Sequence, residues 1–339
     1  MRIAIISPYS IGPIRGNITT VKRISRFLAR AGVELVVLPA DVLSPAEMEQ
    51  RLTSFAPQLI HAFHASYCGG IARLLAERFN LPFMITITGS DLHDPLFRNQ
   101  PDTVRAITAA QATACFDGNE AAELAGYFPQ VADRVVVVPQ GVEALPVTAA
   151  DSFGLPDDAF MLLLPAAIRP VKQIEFPLQA LEQLTDRIPA LRLVIAGGII
   201  DQDYAANIRG MLCNARYAQW LGEIPLKRMG ALYTRADVVL NCSRFESMPN
   251  TILEAMAMGR PVLAADIQGN RTLIRHNDTG LLYQDTASFT GAVVRLTEDD
   301  GLRAELGQRA EEFVHRYFSP RHEAAEYMHI YNSLINGAK

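Results

Sequence analysis

Two glutamates, Glu246 and Glu254, lie eight positions apart on either side of a proline, in the run S-R-F-E-S-M-P-N-T-I-L-E-A-M-A-M-G-R-P-V that begins at Ser243. Pro249 suits the first turn of a helix over 250–258, whose N-H groups and dipole favour a phosphate. Ile252, Leu253, Met256 and Ala257 would face a core and turn Glu254 away from it. At that position a carboxylate is either a solvated helix residue or an acceptor for two ribose hydroxyls. A second pair, Arg169 and Lys172, stands in P-A-A-I-R-P-V-K directly after a strongly apolar run. A planar guanidinium and a point-charge ammonium are suited to a diphosphate, and surface cations without a ligand are common too.

Other candidates are less sharp. The stretch S-P-Y-S-I-G-P-I-R-G over 7–16 supplies Gly12 and Gly16 before a helix starting near Asn17. It is either a turn using glycine for positive φ or a loop offering N-H groups to an anion. It is not G-x-G-x-x-G, and Asp41 lies beyond the next strand rather than at its end, so a nicotinamide or flavin fingerprint fails. Asp91, His93 and Asp94 place carboxylates and an imidazole in one segment, suited to hydrogen bonding or proton transfer, or to a polar helix start. His61 and His64 are expected on a loop after the strand at 59–64, and without a third ligand they do not make a metal site. No D-x-D follows a strand, so no metal is expected.

These residues need strands to carry them. Short β-branched runs at 3–7, 34–38, 59–64, 83–87, 114–116 and 135–138 alternate with helical patterns, the signature of a parallel sheet covered on both faces. The segment 17–31 has Val21, Ile24, Phe27, Leu28 and Ala31 on one face and ends at Gly32, as a helix with a glycine C-cap should. After 138 the pattern breaks into Pro139, Gly141 and a small-residue stretch through Gly154, read as a linker. The alternation restarts with strands at 161–164, 193–196, 238–240, 262–264 and 281–283 and helices at 174–188 and 250–258. The last part, 302–335, reads as two helices divided at Ser319-Pro320. Ligands in such sheets bind outside the carboxyl ends of the strands, and two α/β domains are expected to face each other across a cleft.

Composition narrows the classes. The chain has 339 residues, and at about 150 per domain this suggests two. Hydrophobic residues at 49% permit large cores, and a net charge of −5 provides no global field for nucleic acid. The four cysteines, Cys68, Cys115, Cys213 and Cys242, include no C-x-x-C pair, which argues against a disulfide framework and for a reducing compartment. The N-terminus lacks a signal-like apolar region, and the longest apolar stretch, 159–168, is too short to span a bilayer, so a cytoplasmic location is expected.

The run S-R-F-E-x7-E-A-M-A-M-G-R-P-V-L resembles the glutamate pair and following helix of retaining family-4 (group 1) glycosyltransferases of the GT-B fold, and the resemblance extends along nearly the whole chain. W-L-G-E at 220–223, A-D-V-V at 236–239 and T-G-L-L at 279–282 stand in that family's order, and Arg169 with Lys172 matches its pyrophosphate cations. R-G-N-x-x-T-x-x-R at 15–23 and T-G-S-D at 88–91, where many members have His-Gly, resemble a smaller subgroup that includes the selenosugar synthases and the glycosyltransferase-1-domain-containing proteins.

The resemblance implies two Rossmann-like domains, 1–145 plus 320–339 on the acceptor side and 146–319 binding a nucleotide-sugar. The donor is expected to be a UDP-sugar such as UDP-GlcNAc or UDP-glucose, used without a metal or other cofactor. Arg169 and Lys172 would bind its diphosphate, Glu246 the transferred sugar and Glu254 the ribose; Gly16 would approach the phosphate. Backbone at Met248, Pro249, Asn250 and Thr251 would hold sugar and phosphate, and Leu221, Gly222 and Glu223 would meet the base. Arg15, Asn17, Thr88, Ser90, Asp91 and His93 fall to the acceptor, a small molecule or glycan, with Asp91 also a catalytic candidate. Retention implies same-face attack with the departing diphosphate helping to take the acceptor proton. Transfer to a small nucleophile as in selenosugar synthases, a nucleotide-sugar epimerase and a non-catalytic nucleotide-sugar-binding protein are the alternatives.

Overall fold

The computed structural model describes residues 1–10, 16–147 and 153–337. The chain divides into two units, Met1–Gly141 with Phe318–Lys339, and Val142–Tyr317. Gly12 and Arg15, and the linker residues Ala149 and Ala150, lie outside the described residues.

The first unit is built on β1 (Arg2–Ser7), β2 (Glu34–Pro39), β3 (Leu59–Phe63), β4 (Phe83–Thr86), β5 (Ala112–Cys115) and β6 (Val135–Val137). They form one parallel sheet in the order β2-β1-β3-β4-β5-β6, with Ile5 paired to both Val37 and His61. The two-residue period of β1 sorts its side chains: Ala4 and Ile6 join a core with Met48, Leu52 and Leu75, while Ile3 and Ile5 join Val21, Ile24, Leu28, Tyr327 and Tyr331 on the other face. Burial on both faces is why these strands read as nearly continuous apolar runs.

The second unit repeats the plan with β7 (Phe160–Pro165), β8 (Leu191–Ala196), β9 (Ala218–Trp220), β10 (Val238–Asn241), β11 (Val262–Ala265) and β12 (Leu281–Tyr283). Its parallel order is β12-β11-β10-β7-β8-β9, so the direction of winding reverses between β7 and β10. Crevices open at such reversals, beyond the carboxyl ends of the two strands. Here those ends lead into the loops carrying Arg169, Lys172 and Glu246.

Several expectations change. Strand β9 is absent from the sequence reading; it is a half-buried edge strand of only three residues, too short to alternate. The helix expected over 174–188 is Glu175–Glu182; the Thr185 hydroxyl donates to the Glu182 carbonyl at 2.8 Å, and turns lead to Pro189. The final helices are Asp300–Tyr317 and Pro320–Gly337, the first in the second unit and the other in the first. His61 is no loop residue: it lies inside β3, fully buried. Its Nδ1 is 2.7 Å from the Tyr331 hydroxyl and its Nε2 2.7 Å from Thr86 Oγ1, which also meets the Tyr327 hydroxyl at 3.1 Å. Burial lowers the imidazole pKa to about 3, so it is a neutral fastener between the sheet and the C-terminal helix. No helix among the described residues is long and apolar enough to cross a membrane.

Candidate functional site

Four loops at the carboxyl end of the second sheet are stitched together by backbone bonds. After β7, Ile168 N donates to Gly198 O at 2.9 Å, tying this loop to the one after β8. Gly197 N donates to Gly222 O at 2.8 Å and Leu221 N to Ile195 O at 2.9 Å, which brings in the loop after β9. Arg244 N donates to Val171 O at 2.9 Å and joins the β7 and β10 loops across the reversal point. Gly197 is obligatory, because a Cβ there would sit 1.9 Å from the Ala166 carbonyl oxygen.

This stitching brings Lys172 and Glu246 into an ion pair of 2.5 Å, with side chains 16% and 14% exposed. The same Glu246 oxygen accepts from Ser243 Oγ at 2.6 Å. Burial pushes the Glu246 carboxyl up, but the Lys172 charge, hydrogen bonds from Lys172 and Ser243 and the nearby Arg169 charge together hold it below its ordinary range. Glu246 is therefore an ionised acceptor at neutral pH, suited to hydroxyl donors. Arg169 is half-buried, and its Nε is buried without a hydrogen-bond partner, an unmet donor next to the pair.

Support for this cluster comes from residues that carry no chemistry. Ser243 N donates to Asn241 Oδ1 at 3.2 Å, and the buried Asn270 donates to Asn241 Oδ1 at 3.3 Å and to Ala265 O at 2.8 Å. A Cβ on Gly269 would lie 2.0 Å from the Glu246 carbonyl oxygen, so only glycine lets the turn Gln268–Arg271 back the glutamate loop. Gly197, Asn241, Gly269 and Asn270 are absent from the sequence reading. The G-G after β8 and the G-N after β11 were the only local signals, because the contacts they serve are with distant segments.

The helix Asn250–Ala257 follows, with Pro249 at its N-cap rather than inside its first turn. Ile252, Leu253, Met256 and Ala257 are buried as expected, and Met248 and Pro249 are buried before them. Glu254 is half-buried, and its Oε2 accepts from the fully buried Tyr233 hydroxyl at 2.9 Å. That bond fixes the carboxylate on the face of the helix opposite its apolar anchors. Asn250 and Thr251 open the helix, both half-buried. Leu221, Gly222 and Glu223 form the loop after β9, where Gly222 takes φ 73° and Trp220 Nε1 donates to Gly197 O at 2.9 Å.

In the first unit, the loops after β3 and β4 are locked by Asp91, which is 0% exposed. Its Oδ2 accepts from Ala65 N at 2.7 Å and its Oδ1 from Thr88 N at 3.0 Å. Both oxygens are engaged by backbone, so this carboxylate organises the loops. His64 adopts φ 76° and meets Ser90 Oγ at 3.0 Å through Nε2; burial lowers its pKa against the opposing pull of Asp91. Such strain in a non-glycine residue concentrates at working sites. Gly89, at φ 118°, makes the turn that T-G-S-D requires. Thr88 Oγ1 is buried without a partner, and His93 Nδ1 lies 3.5 Å from Glu123. Asp94 caps the next helix by accepting from Leu96 N at 2.9 Å. Gly16 and Asn17 begin the helix Gly16–Arg30; Arg15 lies outside the described residues. Among the described residues, no three His, Cys, Asp or Glu side chains are grouped to hold a metal ion.

Residues 147–313 match the family model described as "Glycosyl transferases group 1". A glycosyltransferase 1 domain-containing protein 1 of Xenopus tropicalis is 27% identical, covering 95% of this chain and 96% of its own. A D-inositol 3-phosphate glycosyltransferase of Acidothermus cellulolyticus is 26% identical over 84% of this chain and 72% of its own. Among solved structures, a sucrose-phosphate synthase from Thermosynechococcus elongatus superposes with TM-score 0.84 at 20% identity, covering 99% of both chains. Anabaena HepE in complex with UDP-glucose gives 0.80 at 17%, covering 98% of this chain and 100% of its own. Two six-stranded parallel sheets flanked by helices are the GT-B fold of these neighbours. The chain is thus a GT-B enzyme whose second unit matches the group 1 glycosyl transferase model over residues 147–313.

Proposed function

We propose that the chain is a retaining, family-4 glycosyltransferase that moves a hexosyl or N-acetylhexosaminyl group from a UDP-sugar to a small-molecule or glycan acceptor, without a metal. The Lys172–Glu246–Ser243 cluster beside Arg169, at the winding reversal of the second sheet, carries the reading. It joins cations for a diphosphate to an ionised carboxylate for sugar hydroxyls in one small volume. UDP and UDP-glucose in the HepE complexes support the choice of nucleotide. Buried Cys68, Cys115 and Cys242 and exposed Cys213, all free, suit a reducing cytoplasm.

In this mechanism Arg169 and Lys172 stabilise the charge that grows on the diphosphate as its bond to the anomeric carbon breaks. The acceptor attacks the same face of that carbon, its proton passes to the departing diphosphate, and UDP leaves. Glu246 orients the sugar through its hydroxyls, with help from backbone at Met248, Pro249, Asn250 and Thr251. Glu254, held by Tyr233, takes the ribose, and Leu221, Gly222 and Glu223 take the base. Gly16, Asn17, Thr88, Ser90 and His93 serve phosphate and acceptor, and Asp91 positions the loop that carries Thr88 and Ser90. Calorimetry on two variants tests the assignment: Glu254→Gln should weaken UDP and UDP-glucose alike, and Glu246→Gln should spare UDP but depress transfer. Equal losses of UDP affinity would refute the split.

A further inference from the structure

We propose that Thr20, Arg23, Gln140 and Glu323 form a buried clamp that ties the helix Gly16–Arg30 to both segments by which the chain passes between its units, and so positions the N-terminus of that helix for turnover. Arg23 donates from Nε to Glu323 Oε2 at 3.0 Å and from Nη2 to Glu323 Oε1 at 2.9 Å, a two-point pairing. Its Nη2 also reaches Gln140 Oε1 at 3.3 Å, and Thr20 Oγ1 donates to the same oxygen at 2.7 Å. Exposures are 3% for Thr20, 8% for Arg23, 1% for Gln140 and 1% for Glu323.

The placement gives the clamp its meaning. Gln140 stands two residues before Val142, where the second unit begins, and Glu323 five residues after Phe318, where the chain re-enters the first. The two crossings are pressed together: a Cβ on Gly141 would lie 2.3 Å from Pro320 Cα. On the helix, positions 16, 20 and 23 form one stripe, so the groups that grip the crossings also set the rotation of Gly16, about 6 Å from Thr20 along the axis. Buried ion pairs are often replaceable by apolar side chains without loss of stability, whereas they do specify register. An apolar Val21, Ile24 and Leu28 face already binds this helix to Tyr327 and Tyr331. What the polar residues add is a fixed azimuth and a link to the crossings. The R-G-N-x-x-T-x-x-R run thereby divides into Gly16 and Asn17 at the helix start and Thr20 and Arg23 as their anchor. The inference rests on the proposed function for what Gly16 and Asn17 serve.

The test is a double variant, Arg23→Met with Glu323→Leu, alongside the milder Thr20→Val. Expected for the double variant are a melting temperature within a few degrees of wild type and a UDP dissociation constant raised no more than about threefold by calorimetry, since Gly16 is one of several groups assigned to the phosphate. Its kcat with UDP-glucose or UDP-GlcNAc should fall at least tenfold, and amide exchange at 17–20 should quicken at least tenfold. Thr20→Val should show the same pattern at three- to fivefold. Unchanged kcat and exchange in either folded variant, or UDP affinity falling in step with kcat, overturns the clamp. If the double variant does not fold, Thr20→Val decides by the same readings. A wild-type protein that neither binds UDP nor turns over a UDP-sugar would sink the proposed function instead, and the exchange arm would still judge the clamp.

Discussion

Lowering the pH from 7 to 5 should destabilise the first unit through His61, because its imidazole is fully buried. The imidazole has its pKa lowered from 6.5 to about 3 by burial, so the folded state binds fewer protons than the unfolded chain. The stabilisation is complete above 6.5 and is lost as pH falls toward 3. At pH 5 the folded imidazole is still neutral while the unfolded one is almost fully charged, which makes the loss about 2 kcal/mol relative to pH 7. It reaches about 5 kcal/mol once both forms are protonated, at 1.36 kcal/mol for each pH unit of separation. The lowered pKa of His64 acts in the same direction, so the comparison must isolate His61. Urea unfolding followed by far-ultraviolet circular dichroism at pH 7 and pH 5 does this with His61→Gln as the reference. Wild type should lose about 2 kcal/mol more than the variant between the two pH values. Trp220, the chain's one tryptophan, lies in the second unit, and its fluorescence should not register the difference. Equal pH dependence in wild type and variant would mean that His61 charges in place, and the reasoning from its burial would fail.

Arg169→Ala and Lys172→Ala should each weaken UDP binding by about 2 to 3 kcal/mol, the value of a charge-assisted contact, with circular dichroism unchanged; wild-type affinity by calorimetry would remove them from the diphosphate site. Gly269→Ala, whose Cβ would meet the Glu246 carbonyl oxygen at 2.0 Å, should displace the glutamate loop and lower stability by about 1 to 3 kcal/mol. In that variant kcat should fall further than UDP affinity, and parallel losses would count against a local effect. Turnover should persist in excess EDTA, because fixed cations face the diphosphate; complete loss, restored by magnesium, would replace this mechanism with one in which a metal bridges donor and protein.

Much of this architecture was readable because most of the parallel strands are apolar along most of their length. Residues 3–7, 238–240 and 281–283 lie within strands, and the break at Ser319-Pro320 separates two helices. The glutamate run was readable for a related reason: Ile252, Leu253 and Met256 announce a helix whose start must lie beside Pro249. The edge strand β9 has too few residues to show a period. The sequence suggests a loop for His61 because histidine in a strand looks like its end, and nothing nearby in sequence reveals Tyr331 as its partner, 270 positions away. The Thr20–Gln140 bond spans 120 positions, and the Lys172–Glu246 pair spans 74. Local pattern identifies elements, but such pairs form only when sheet order brings loop ends together.

The C-terminal helix Pro320–Gly337 also sets an order on biosynthesis. Every residue of the second unit is synthesised before Glu323, Tyr327 and Tyr331 exist, so the nascent first sheet waits with His61, Thr86 and Arg23 lacking their partners on that helix. Its apolar face of Ile3, Ile5 and Phe63 is covered only by the helix Gly16–Arg30 for the same interval, without Tyr327 and Tyr331. The unit translated first is therefore the one completed last, and a ribosome that stalls after residue 317 would release a finished second unit joined to a sheet open to aggregation and proteolysis.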